Sequence, residues 1–427
     1  MRDILVTVIV FGSIPVILYR AYIGVFIFAW LSYMNPHRLT WGFAYDMPFA
    51  AVIGIITLIS FLITKDKEKL PINSLVLVWI IWIFWMTVTT VFAIEFDSAI
   101  IEWKRVMKIQ LIAIITIMLL QSKERIYWFV WVIALSIGFF GIKGGVFTLL
   151  TSGEYLVYGP PGSFFEGNNG LAVALIMILP LFRYLQLQTN NKWVRYGIYA
   201  AMLLIGLSIL ASYSRGAFLG IVAAATYMIL KSKRKLLFLP FMLVIFVSLL
   251  FFMPEKWHDR IETIQSYEED GSAMGRINAW YFAFNLVKDR PIVGGGYHIY
   301  DPKWFYVYAP DPEDFHDSHS IYFESLGEHG FVGLIIFLTL GWLGLRYGNK
   351  IRAMTEKHSD LQWAYQLASM LQVSIVGYAV SGAFVGLAYF DLYYHLLALM
   401  ILAYLEVKKV LESQEYKNEA VSRNLIK

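Results

Sequence analysis

Long apolar runs follow one another along almost the whole chain, broken by short polar stretches. A hydrocarbon core of about 30 Å takes about 20 apolar residues in a helix. Runs of that order occupy 48–64, 74–94, 106–120, 126–150, 169–185, 195–213, 216–230, 236–253, 319–345, 361–380 and 383–407. A further stretch, 4–34, is interrupted by Arg20 and reads as two short helices, 4–19 and 21–34, ending at Asn35-Pro36. The pattern predicts an all-α polytopic membrane protein of 12–13 transmembrane helices with one long outer loop that contains short helices.

Lysine and arginine in short loops orient such a bundle. Lys65, Lys67 and Lys69 mark one inner loop, Lys231, Lys233, Arg234 and Lys235 a second, and Arg346, Lys350, Arg352 and Lys357 a third. Lys408 and Lys409 put the C-terminus inside. The loop 151–168 has no Lys or Arg and is expected outside, as is 254–318, where acidic residues outnumber basic ones two to one. Two features resist this scheme: 95–108 falls outside by alternation yet carries Lys104, Arg105 and Lys108, and strict alternation puts Arg2 outside. The chain divides into N-terminal helices (1–150), central helices (151–253), the outer loop (254–318), C-terminal helices (319–407) and a polar tail (408–427).

Composition agrees with a membrane solvent. Hydrophobic residues are 58% of the 427 and charged ones only 15%, where a soluble domain carries roughly a quarter. The many aromatic rings (14 Trp, 27 Tyr and 31 Phe) suit a protein with two headgroup interfaces. With no cysteine, disulfides, thiolate nucleophiles and Cys-based metal sites are excluded. No A-x-A-like cleavage site follows Met1-Arg2-Asp3, so the first segment is expected to remain as an anchor.

The candidate chemistry gathers on the outer side. Ser214-Arg215-Gly216 breaks two apolar runs at a helix end. An arginine there is either an anion clamp, since guanidinium binds phosphate oxygens bidentately, or a side chain snorkelling to headgroups. Gly275-Arg276 opens a predicted helix, 274–288, that carries Trp280 and stops at Pro291. Its first turn suits a phosphate, while a salt bridge to Glu268, Glu269 or Asp270 is the plainer reading. Val293-Gly294-Gly295-Gly296-Tyr297 has no βαβ context and reads as a tight turn. His316-Asp317-Ser318-His319-Ser320 precedes a helix. His319 can accept a proton near neutral pH, with Asp317 or Glu324 to orient it, whereas Asp317 and Ser318 also suit helix caps. His316, Asp317 and His319 lack a standard metal-ligand spacing. After Gly159-Pro160, Asn168 and Asn169 begin a helix, one as cap and the other as a glycan-binding amide. Tyr297, Tyr300, Trp304, Phe305, Tyr306 and Tyr308 read as sugar-stacking rings or, more simply, an interfacial belt. Lys143 stands alone within an apolar run, either lining a pathway or marking a helix end.

The order of these elements carries more than any one of them. Ser214-Arg215-Gly216, then Arg276 with Trp280, then Pro291 with Gly294 and Gly296, then His319, then Glu328 with Gly330 and Gly333 resembles the shared core of the O-antigen ligase and polymerase superfamily. Tyr33-Met34-Asn35-Pro36-His37-Arg38 and the Gly159-Pro160 and Asn168-Asn169 patterns are similar to its putative O-glycosylation ligase branch, associated with exosortase systems. Ser320 departs from the Asn that many members have after the key histidine. The resemblance implies a bacterial inner-membrane glycosyltransferase with its site facing the periplasm. It would be inverting and metal-independent, without a cofactor. The donor would be a glycan on undecaprenyl pyrophosphate, and the acceptor a hydroxyl of lipid A core or of a protein. Membrane lipids are the other expected partner, and nucleic acid is not one. His319, Arg215 and Arg276 would be catalytic; Asn168, Asn169, Trp280, Asp317 and Glu324 would bind substrate. A polysaccharide polymerase of the same superfamily, or a lipid-linked glycan transporter, are the rival readings. A transporter would more typically place its ionisable sites at the bilayer midplane.

Overall fold

The computed structural model describes residues 1–231 and 271–425. The described residues hold fourteen α-helices and no strand. These are α1 (Arg2–Tyr19), α2 (Ala21–Met34), α3 (Phe49–Ile63), α4 (Ser74–Val91), α5 (Phe96–Leu119), α6 (Lys123–Leu150) and α7 (Asn168–Gln188). They continue with α8 (Lys192–Leu210), α9 (Arg215–Lys231), α10 (Gly271–Asp289), α11 (Pro302–Tyr308), α12 (Ile321–Thr355), α13 (Gln362–Ser381) and α14 (Asp391–Leu425). The predicted segment 236–253, His258, the carboxylates of Glu268, Glu269 and Asp270, and the cations Lys233, Arg234 and Lys235 lie outside the described residues.

The protein is a multi-pass membrane protein. Seven described helices are long and apolar enough to cross a bilayer, against the 12–13 crossings expected. Helices α2 and α3 are apolar but only 14 and 15 residues long, α9 is described over 17 residues, up to Lys231, and the first half of α5 is rich in charge. That last point removes one oddity. The supposed loop 95–108 is the first half of α5, so Lys104, Arg105 and Lys108 ride on a helix rather than between two spans.

Side-chain bonds sort the connections onto two faces. On the basic face, Arg125 pairs with Asp66 at 2.6 Å, Lys123 lies over the Trp363 ring, and Gln188 meets Gln366 at 2.7 Å. On the opposite, loop face, Ile94 donates to Gly295 at 2.8 Å, Lys303 pairs with Glu95 at 2.7 Å, and Arg105 lies 4.0 Å over Phe164. The start of α1 also sits on the loop face, because Asp3 accepts from the Gly42 and Ala44 amides. Arg2 is therefore where strict alternation puts it. Lys143 is an exposed residue of α6, two turns before its end. Its stem can carry the ammonium toward that end, as lysines near interfaces do.

Helix α7 is buried along nearly its whole length and packs against α6, α8 and α13. Small residues draw α9 and α13 together near the loop face. A Cβ at Gly216 would lie 2.7 Å from Phe384, and one at Gly220 2.6 Å from Ser381. Such close approaches hold helices together where lipid offers no hydrophobic drive. Helix α12 breaks at Gly330, whose φ of 70° and ψ of −174° lie outside helical space. The turn 291–296 docks in that break: Gly295 donates to Gly327 at 2.8 Å, Gly296 to Glu328 at 2.9 Å and Phe331 to Pro291 at 2.9 Å. Gly294 has φ +65° and its Cβ position is 2.6 Å from the Gly330 nitrogen. The glycine run thus serves helix–backbone contact.

Candidate functional site

Helix α10 is amphipathic on an ordinary 3.6 period. Ala279, Phe282, Leu286 and Val287 are buried, against Ile299, Phe305 and Leu326. Phe282 stacks on Phe305 at 4.5 Å, and Tyr300 and Tyr308 close round the same ring. The aromatic stretch expected as an interfacial belt therefore builds, in large part, a small core beneath the loop face; Tyr306 remains exposed.

The polar side of α10 carries a strap, residues 309–320. Asn278 donates to the Asp311 and Asp314 carbonyls at 2.7 and 2.9 Å and accepts from the Asp311 amide at 3.0 Å. Two turns on, Asn285 donates to Tyr308 at 2.9 Å. Trp280 donates its indole N–H to the Ser318 carbonyl at 2.8 Å and stacks on Phe323, 5.0 Å away and 7° from parallel. At the other end of the strap Gly275 packs directly on the His316 ring, where any Cβ would collide. Arg276 and Trp280 are four residues apart and share a helix face. Anchoring the strap through Trp280 and Gly275 therefore brings Arg276 beside His319.

His319 is held tightly for a non-glycine residue. Its φ is +40°, a left-handed conformation that costs an ordinary side chain about 1–2 kcal/mol. Burial lowers its pKa below the usual 6.5, the Arg276 charge lowers it further, and Asp317 opposes them. The imidazole is thus kept neutral at physiological pH. Neither Asp317 nor Ser318 caps α12: Ser320 occupies the N-cap position, with no side-chain cap bond. Glu324, one turn into α12, accepts from the Ala388 amide at 2.9 Å and so fixes the 385–390 segment.

Arg276 differs from expectation in one respect. The chain is already helical at Gly271, the first described residue of this segment, which puts Arg276 beyond the first turn. It offers a guanidinium to an anion but not the free amides of a helix start.

The second arginine comes from the α8–α9 turn. Ser214 caps α9, its Oγ accepting from the Ala217 amide at 3.2 Å. Tyr213, at φ +52°, makes the turn and ties it to the Gly153 carbonyl. Gly216 lets α9 rest on Phe384, while a Cβ at Gly382 would lie 2.7 Å from Ile321. One short 3₁₀ segment, Gly382–Phe384, thus touches both the Arg215 turn and the start of α12. Asn168 joins them: its Nδ2 donates to the Ser212 carbonyl at 2.8 Å. Gly167, not an asparagine, holds the N-cap position of α7, without a side-chain cap bond. Asn169 is half-buried in the first turn.

Behind the strap lies a polar chain that the linear sequence does not disclose. Glu102 on α5 lies between Arg105 and His298, at 3.6 and 3.5 Å. His298, at φ +58°, is held above its usual pKa by the hydrogen bond to Glu102. Its amide donates to Glu328 at 3.1 Å, Tyr389 donates to the other Glu328 oxygen at 2.5 Å, and His329 reaches Tyr389 and Thr89 at 2.7 and 2.6 Å. Glu328 was visible as part of a motif. The other members of the polar chain were not, because they come from α4, α5 and two separate loops. His316 lies 3.0 Å from Asp314. Among the described residues no group of three His, Asp or Glu side chains is arranged to hold a metal ion.

The arrangement is a cationic, half-buried corner with a neutral imidazole. Guanidinium groups of this kind suit an anionic leaving group, and the imidazole suits removal of a hydroxyl proton. Residues 200–338 match the O-antigen ligase family model, and residues 1–190 match a family of unknown function (DUF5935). No curated protein matches the chain. The O-antigen ligase match spans Arg215, Arg276 and His319 together and supports the O-antigen ligase superfamily for this chain.

Proposed function

We propose that the protein transfers a glycan from undecaprenyl pyrophosphate to an acceptor hydroxyl, at the periplasmic side of a bacterial inner membrane. The observation that carries this reading is the strap geometry, which sets a backbone-constrained, neutral His319 against the Arg276 charge. A hydroxyl nucleophile needs the first, and a pyrophosphate leaving group needs the second.

In this mechanism His319 takes the proton of the acceptor hydroxyl as its oxygen attacks the anomeric carbon. Attack comes from the face opposite the pyrophosphate, so the glycosidic bond to phosphate breaks as the new one forms and the anomeric configuration inverts. The bonding pair leaves on undecaprenyl pyrophosphate. Arg276 and Arg215 stabilise the charge that grows there, as fixed donors do when they are aimed at developing charge. The proton passes from the imidazolium to water. Asp317 stabilises the imidazolium, since its charge raises the His319 pKa. No step calls for a metal. Asn168 and Trp280 position backbone: the first holds the Ser212 turn and the second the Ser318 carbonyl. Asn169 and the rim of the strap face the glycan.

The test is a transfer assay with purified full-length protein, undecaprenyl-pyrophosphate glycan and EDTA, offering lipid A core, a free glycan chain and a peptide as acceptors. Release of undecaprenyl pyrophosphate with glycan transfer, abolished in His319→Ala, is expected. Transfer unaffected by His319→Ala overturns the mechanism. Movement of intact lipid-linked glycan across proteoliposomes, without transfer, overturns the function. The acceptor that is consumed separates a ligase from a polymerase.

A further inference from the structure

The basic face holds a second built feature, on the opposite side of the bundle from His319. Helices α7, α9 and α13 are drawn together near the loop face by Gly216, Gly220 and Gly377; a Cβ at the last would lie 2.7 Å from Ile176. Toward the basic face they splay. The wedge between them is a cavity of about 870 Å³, with walls from Ile176, Pro180, Ile221, Ala225, Met228 and Val373. From Ile176 to Leu187 the wall runs eleven residues, or about 17 Å of helix, close to half of a hydrocarbon core of about 30 Å.

The wide end is cationic. Arg183, Lys231 and Arg352 line it, against one carboxylate, Glu356, among the described lining residues. Lys231 is held by Asn349 at 3.2 Å, and Arg352 by the Tyr365 hydroxyl at 3.0 Å. The Arg352 Nε is buried with no hydrogen-bond acceptor among the described residues. These groups come from three separate helices and converge where the acyl region gives way to headgroups. A leaflet-deep apolar slot ending in clustered cations matches a lipid with a charged phosphate, and basic pockets between helices on the cytoplasmic side are where such headgroups bind.

We infer that this wedge is a binding site for an anionic glycerophospholipid of the leaflet on the basic face. Its phosphate lies among Arg183, Lys231 and Arg352, and one acyl chain lies along α7, α9 and α13. Arg352 lies about 33 Å of helix beyond the Gly330 break in α12. The site is therefore separate from the one that handles the glycan donor, and its occupant braces the wide end of the wedge.

The experiment uses the full-length protein, stripped of lipid in a mild detergent and titrated with mixed micelles of phosphatidylglycerol or phosphatidylcholine. Phosphatidylglycerol is expected to raise Tm by about 5 °C at a hundredfold excess over Kd, and phosphatidylcholine by much less. Native mass spectrometry is expected to retain one phosphatidylglycerol per chain. In Arg183→Gln/Lys231→Gln the shift and the retained lipid are lost, with helicity by circular dichroism unchanged. Ala225→Phe, which fills the slot, loses the lipid while keeping all the cations. Glycerophosphoglycerol, the headgroup without chains, gives no shift. Equal shifts from both lipids, an equal shift from the chainless headgroup, or full retention of the lipid in the double variant overturn the proposal. If the double variant does not fold, retention of lipid by Ala225→Phe decides against it.

Discussion

The two faces of the bundle both collect cations and hold them by different means. On the loop face Arg276 sits beside a strap fixed by four side-chain bonds to Asn278 and Trp280. The histidine on that strap is confined to φ +40°. On the basic face the cations meet exposed carboxylates or aromatic rings, as Arg125 meets Asp66 and Arg346 lies over Trp342, or they rim a slot between helices. Chemistry needs groups whose positions are set before substrate arrives, whereas anchoring and lipid contact need charge at the right depth and little more. The difference between the faces is thus one of constraint, not of charge.

The comparison is broken most directly at His319. Replacing it by alanine is expected to lower transfer about 10³-fold with no loss of folding, read from turnover and circular dichroism on the same sample. Arg276→Lys comes next. It keeps the charge but removes the forked donors, and a fall of about 10²-fold in kcat is expected. A change under threefold would remove Arg276 from the leaving-group site. Trp280→Phe keeps the stack on Phe323 and deletes only the bond to Ser318. A fall of about tenfold in kcat with KM little changed is expected if Trp280 acts by positioning the strap. A rise in KM alone would instead place it on the glycan.

The pH profile sharpens the same contrast. The His319 pKa lies below 6.5 because burial and Arg276 disfavour the cation. The base is active when neutral, so kcat/KM is flat near pH 7 and falls on the acid side, below pH 6.5. Removing the Arg276 charge in Arg276→Gln deletes one of the two main depressing causes, so the residual activity should lose its acid limb at higher pH. An unmoved limb would separate the two groups electrostatically. The smallest effect belongs to the basic face. Arg125→Gln breaks a partly exposed ion pair, and a change within about 1 kcal/mol in stability is expected, measured by denaturation in detergent, with transfer unchanged.

Much of this was legible in the chain because membranes impose their solvent on the sequence. The break at Arg20, the helix limits near 49, 74, 168 and 321, and the two-sided sorting of lysines all follow from residue-by-residue cost in hydrocarbon. Arg215, Arg276 and His319 were readable as an ordered set, as was the glycine turn near 294. Where short-range reading failed, a long-range partner decided. Asn168 has a cap residue's chemistry, but the Ser212 carbonyl from the α8–α9 turn takes its donor. Glu324 accepts from the Ala388 amide, a partner far along the chain. The polar run 95–108 read as a loop because its charges interrupt the apolar pattern. In the fold Glu102 meets His298 and Arg105 covers Phe164.

Hydropathy and charge are local properties, so the chain alone announces a helical membrane protein with its candidate residues gathered on one side. Which of those residues meet follows from packing. A strap drawn along α10 by Asn278 and Trp280 sets His319 against Arg276, and the glycine-lined approach of α9, α13 and α12 brings the Arg215 turn to the same corner. Contacts between distant segments depend on shape complementarity and on hydrogen bonds made only once the chain is packed, and no window of sequence contains them.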